Sequence, residues 1–256
     1  MSDIRPDLRR PLGDYGIDGD FRVIPPRGHA VILALIGIAL VTLTIRNAVT
    51  GAVTAAVVFG SFALAFALFV GSYLRASRVG KFEVWARVLG GLRLRGDEHV
   101  LDLGCGRGAL LVSAAKLLPH GRAVGLDLWR ADQSGNSPDA TRRNAELEGV
   151  ADRVDVETGD MRRLPFVDAS FDLVISNLAV HNVPSREGRQ AAIDEAVRVL
   201  RPGGRLAIAD LLHTNRYRAR LEELGMTDVE RRSLGWRMWL GAPFFPTRLV
   251  TATKPI

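Results

Sequence analysis

Charge placement divides the chain into two unlike parts. No charged side chain occurs from residue 30 to 45 or from 47 to 74, and Arg46 alone interrupts. At about 1.5 Å per residue the two runs span about 24 Å and about 42 Å as helices, against a hydrocarbon core of about 30 Å. They predict a hairpin of two transmembrane helices over residues 29–74, turning near Arg46, Asn47 and Gly51. The alternatives are a signal peptide and a pair of buried core helices. Five acids and five arginines among the first 29 residues argue against the signal peptide. Two such runs in tandem exceed what the core of a domain this size needs.

From residue 99 onward short apolar runs alternate with amphipathic segments. Strands are predicted over 100–103, 123–127, 154–158, 170–177 and 203–210, and helices over 109–118, 137–148 and 186–200. Pro119 to Gly121, Gly149 and Pro202 to Gly204 supply the helix stops. The alternation predicts an α/β domain, with a mainly parallel sheet covered on both faces. In such sheets ligands bind outside the carboxyl ends of the strands.

Candidate chemistry gathers at those ends. Asp102 closes the first strand and is followed by Gly104, Cys105, Gly106, Arg107 and Gly108. Alternating glycines permit positive φ and let a ligand approach the backbone, and the helix beyond adds free N–H groups. The spacing is not the Gly-x-Gly-x-x-Gly of dinucleotide sites. A carboxylate before the glycines suits a cationic amine better than a pyrophosphate. Asp127, closing the second strand nineteen residues after Gly108, is placed to accept both hydroxyls of a ribose. Gly159, Asp160 and Met161 follow the third strand, and Asn177 ends the fourth.

In this ordered set the chain resembles the class I S-adenosylmethionine-dependent methyltransferases. The nearest type is the small-molecule one that includes quinone-biosynthesis enzymes, and the resemblance covers roughly residues 80–256. It implies a Rossmann-like, doubly wound, seven-stranded sheet that finishes with an antiparallel pair, here 229–234 and 248–253. It implies S-adenosylmethionine as cofactor. Asp102, Gly104, Cys105 and Gly106 would hold its methionine part, and Asp127 with Leu128 the ribose. Asp160 and Met161 would meet the adenine, and Asn177 and Leu178 would line the methyl group. Cys105, the single cysteine, reads as a small packing residue, and no zinc spacing occurs.

The implied activity is methyl transfer to a small acceptor. His181 is the candidate base, with His213 second; capping or packing is the alternative role for His181. The polar loop 129–136 and the aromatic loop 235–246 are candidate walls, or simply connections. Arg22 and Arg27 precede the first apolar run, Arg75, Arg78, Lys81 and Arg87 follow the second, and the turn carries Arg46. The positive-inside rule sets both flanks in the cytoplasm. The expected plan is a cytoplasmic segment 1–28, a hairpin 29–74, a basic juxtamembrane helix or linker 75–98, and a methyltransferase domain 99–256. Net charge is +6. Six basic against three acidic side chains in 75–98 suit anionic lipid headgroups. The absence of a basic stripe interleaved with aromatics speaks against nucleic acid. Three function classes stay open: a membrane-anchored methyltransferase of a lipophilic acceptor, one with a soluble acceptor, and a non-catalytic cofactor-binding module.

Overall fold

A computed structural model describes residues 6–19, 21, 23–130, 133–241 and 246–256. The uncharged runs form two helices, α1 (Pro26–Val49) and α2 (Val53–Arg75), with no buried residue in either. They are about 36 Å and about 34 Å long, enough to cross a bilayer. Small residues let them pack together: Thr44 lies against Gly60 and Phe66 against Gly37. The turn falls at residues 50–52, so Arg46 stands in the last turn of α1.

A π-helical turn, Ala76–Gly80, carries α2 into α3 (Lys81–Leu92). Charge count alone sets this segment at a membrane surface. It also carries an apolar stripe: Val84, Trp85, Val88 and Leu89 recur at helical spacing and are buried against α4. The segment is a structural helix of the domain.

The sheet contains β1 (His99–Leu103), β2 (Arg122–Asp127), β3 (Val154–Thr158), β4 (Phe171–Asn177), β5 (Leu200–Asp210), β6 (Thr227–Ser233) and β7 (Arg248–Thr253). Their order is β3-β2-β1-β4-β5-β7-β6, with β7 antiparallel to β5 and to β6 and the other neighbours parallel. The connecting helices are α4 (Ala109–Ala115), α5 (Pro138–Leu147), α6 (Arg186–Val199) and α7 (Thr214–Glu223). Ser137 and Ser185 cap α5 and α6, accepting from the N–H groups of Ala140 and Gly188. Both faces of the central strands are buried. Val100, Leu173, Ile175 and Ala207 pack with α3 and α4, while Leu101, Val174, Leu206 and Ile208 pack with α6 and α7. This double burial is the doubly wound fold expected from the alternation. Strand β5 begins earlier than its glycines suggest. Leu200 pairs with Phe171, and Gly203 and Gly204 exchange backbone hydrogen bonds of 2.8 Å with Lys254.

The strand order reverses between β1 and β4, so their carboxyl ends open a crevice. A strap formed by residues 6–19 lies across this side. The carboxylate of Glu148, ion-paired with Lys116, accepts from Leu12 N (2.7 Å), Gly13 N (3.1 Å) and the Tyr15 hydroxyl (3.0 Å). Arg107 donates to the Asp14 carboxylate at 2.8 Å, and Ile17 and Ser134 bond each other. Leu8 and Tyr15 are buried beneath the strap. Glu148→Ala is expected to release it: chymotryptic cleavage after Tyr15 should accelerate about tenfold, the factor for losing a bond to a charged group. Circular dichroism should show unchanged helix content.

Candidate cofactor pocket

The crevice holds a cavity of about 370 Å³ at the carboxyl ends of the parallel strands. Asp102, Gly104, Cys105, Asp127, Leu128, Asp160, Met161, Asn177, Leu178 and His181 all line it. Gly106 lies in the same turn and holds the cavity floor from behind.

That floor is a backbone construction. Gly104 N and Cys105 N donate to the Leu126 carbonyl at 2.8 and 3.3 Å, and Gly106 N donates to Asp127 Oδ2 at 2.8 Å. Gly104 and Gly106 have φ of 71° and 53°. A side chain at Gly104 would strike Ala179, and one at Gly106 would strike Gln133, so the turn requires glycine at both positions. Cys105 packs against Gly125, and burial pushes its thiol well above the usual range. Leu178 and Trp129, at φ 57° and 58°, are non-glycine residues held in the left-handed region beside the cavity.

Each carboxylate is in a different state. Asp102 is buried, and among the described residues its Oδ2 has no hydrogen-bond partner. Burial, with Asp127 adding repulsion, pushes its carboxyl up to about 8. Asp127 is buried too, which raises its pKa against the pull of Gly106 N and Trp129 N (2.6 Å). Asp160 is bound to Arg162 (Nη2 at 2.5 Å), which holds its carboxyl below the usual range. Asp160 is thus engaged by its own chain, a partner that spacing along the sequence does not reveal.

His181 follows β4 on the 3-10 turn Val180–Asn182, and its Nδ1 lies 2.5 Å from Asp210 Oδ1. Asp210, fully buried at the end of β5, also accepts from His181 N (2.9 Å) and the Tyr217 hydroxyl (3.2 Å). Burial and Asp210 raise the pKa of Tyr217, keeping it a donor. His213 opens α7 and is not among the residues that line the cavity.

Several pocket residues were not singled out from sequence. Trp85 Nε1 donates to Asn177 Oδ1 at 3.0 Å and so orients that side chain. Asp18, Gly19, Tyr73 and Lys81 also line the cavity, and Gln133 does so from the polar loop 129–136 that was a candidate wall. Asp210 carried a readable signal, since it ends an apolar strand as Asp127 does. The strap carried none: its partners lie more than 90 positions away. In loop 129–136, Ala131 and Asp132 lie outside the described residues, as do Ala242 to Phe245 of the aromatic loop.

The unpartnered Asp102 oxygen and the glycine cradle fit a ligand with a cationic amine and a ribose, as S-adenosylmethionine has. Comparisons with known proteins agree. Residues 100–204 match the family model described as "Methyltransferase domain". Over these residues the chain is similar to methyltransferase domains. The 27-O-demethylrifamycin SV methyltransferase of Amycolatopsis mediterranei is 38% identical over 128 residues, 49% of this chain and 43% of that protein. The ubiquinone/menaquinone biosynthesis C-methyltransferase UbiE of Roseobacter denitrificans is 34% identical over 133 residues, 52% of this chain and 50% of that protein. The chain therefore spans about half the length of the curated relatives it matches. A methyltransferase structure from Aquifex aeolicus has the same fold, with a TM-score of 0.53 at 19% identity, over 66% of this chain and 88% of that one. The Rossmann-like methyltransferase fold is the one that the resemblance implied.

An ammonium ligand held by Asp102 should bind with proton linkage. Below about pH 8 the free pocket carries a protonated Asp102, whereas an ammonium ligand favours the carboxylate. Binding of S-adenosylhomocysteine near pH 7 should release a proton, and affinity should rise from pH 6 to 8. Calorimetry in buffers of different ionisation enthalpy should show the release, and Asp102→Asn should abolish it.

Proposed function

We propose that the chain is an S-adenosylmethionine-dependent methyltransferase, anchored by the α1–α2 hairpin, that methylates a small lipophilic acceptor at the cytoplasmic face of a membrane. One observation carries this reading: both roots of the hairpin line the cofactor cavity. Asp18 and Gly19 precede α1, Tyr73 lies in the last turns of α2, and its hydroxyl donates to the Asp18 carbonyl. An acceptor dissolved in the bilayer would thus meet the enzyme beside its reaction site, at the raised effective concentration that confinement gives.

The hairpin base has the chemistry of an interface. Arg75 and Arg237 both lie over the half-exposed Trp236, with guanidinium carbons 4.5 and 4.6 Å from its ring centre. Both arginines pair with Glu83, at 3.1 and 2.9 Å. Aromatic and basic side chains of this kind favour the headgroup level. Leu240 from the same loop lines the cavity, as does Leu211, and both give it an apolar side. The names of relatives such as UbiE and a demethylmenaquinone methyltransferase support a lipophilic quinone-like acceptor.

The cofactor, when bound, supplies an electrophilic methyl group. The chain aligns the acceptor, excludes water and accepts a proton. Asp210 holds His181 Nδ1, and the imidazole so oriented takes the proton of a phenol or enol acceptor. Asp210 acts through His181 as a positioning residue.

Purified full-length protein with methyl-labelled cofactor should label material in a lipid extract and not in the aqueous extract; the reverse result would favour a soluble acceptor, and no label in either a binding module. His181→Ala should lower kcat about 10²- to 10⁴-fold, the scale of general-base catalysis, with cofactor affinity unchanged and the acidic limb of the kcat–pH profile lost. The full chain should stay with membranes through alkaline carbonate washing.

A further inference from the structure

The cofactor carries a carboxylate beside its ammonium group, and none of the residues expected from the sequence to bind it is a cation. Among the described residues three lysine or arginine side chains line the cavity: Lys81, Arg130 and Arg162. Arg162 is committed to Asp160 at the adenine end. Arg130 follows Asp127 by three residues, on the ribose side. Lys81 stands one helical turn before Trp85, on the same buried face of α3, and Trp85 binds Asn177 at the carboxyl end of β4. Lys81 therefore belongs to the end of the cavity where Asp102 and the glycine turn lie.

Its surroundings suit an exchangeable partner. The Lys81 side chain is 2% exposed, yet its ammonium reaches the Asp18 oxygens only at 3.3 and 3.4 Å. A close charge-assisted bond measures about 2.7–2.9 Å. Asp18 is shared as well, since Gln133 Nε2 donates to its Oδ1 at 3.1 Å. The ammonium has these two long bonds to Asp18 and lies 5.7 Å from the Phe82 ring centre, so a carboxylate at closer range would be favoured there.

We propose that Lys81 is the receptor for the cofactor's carboxylate, and that Asp18 of the strap is its internal stand-in, competing for the same ammonium. The proposal rests on the methyltransferase reading of the cavity. It gives the strap a role: with the ligand bound, Lys81 is shared between ligand and strap, so cofactor binding and strap position are coupled reciprocally. Asp18 lies eight residues before α1 and Lys81 six residues after α2, so this coupling reaches the base of the hairpin.

The test compares two ligands by calorimetry on the full chain in lipid nanodiscs. S-adenosylhomocysteine has the amino-acid group; 5′-methylthioadenosine lacks it. Lys81→Met should weaken S-adenosylhomocysteine about 10- to 100-fold, the scale of one charge-assisted hydrogen bond, and leave 5′-methylthioadenosine unchanged. Lys81→Arg should restore most of the loss. Asp18→Asn, which keeps an acceptor for Gln133, should tighten S-adenosylhomocysteine and leave the other ligand unchanged. Equal loss of both ligands in Lys81→Met would mark a structural role and overturn the proposal, as would unchanged S-adenosylhomocysteine affinity, or an Asp18→Asn variant that weakens it. Failure of the unaltered chain to bind S-adenosylhomocysteine would instead overturn the methyltransferase reading, and the proposal with it.

Discussion

The pocket depends on how the backbone turns after β1. Gly104 N, Cys105 N and Gly106 N all bond to the end of β2, the first two through the Leu126 carbonyl and the third through the Asp127 carboxylate. The chain can do this only where two residues accept positive φ and have no side chain to strike Ala179 or Gln133. One tight turn therefore shapes the floor, fixes Asp127 and starts α4. It also leaves Asp102 buried behind the turn, with an oxygen that no described group satisfies.

That unsatisfied oxygen shows how the fold stores binding capacity. An uncompensated buried carboxylate is costly, and the protein avoids the charge by holding a proton on Asp102 to about pH 8. A cationic ligand removes the cost, so part of its affinity comes from relieving the free protein. The Lys81–Asp18 pair is its basic counterpart: a buried ammonium held at long range by a carboxylate of the strap. Together they put a buried carboxyl group and a buried ammonium in one cavity.

The same cavity joins the two parts of the chain. The strap before α1 and the last turns of α2 meet through Tyr73 and Asp18, and the loop around Trp236 packs on the α2 end, where Phe69 lies against Gly241. The apolar hairpin is thus rooted in the pocket wall, and α3, which continues from it, orients Asn177 through Trp85. An attachment of this kind differs from a tether, because both roots supply lining residues.

The sequence by itself determined much of this. Uncharged runs of 16 and 28 residues admit little except two long apolar helices, and the alternation of short apolar runs with amphipathic segments specifies a doubly wound sheet, because burial on both faces demands it. Asp102, Asp127, Asp160 and Asn177 were legible as candidates because each stands at or just past a strand's carboxyl end, and all four line the cavity. Tertiary structure alone decided the rest. Lys81 and Trp85 looked like part of a basic linker until the packing of α3 turned them inward, and Asp18 gave no signal because its partners Lys81 and Gln133 lie 63 and 115 positions away. Whether Asp160 stays free or binds Arg162, and whether His181 acquires Asp210, depends on side-chain directions that neither periodicity nor spacing encodes. Local pattern reports which face of an element is buried; only the folded chain reports what lies across from it.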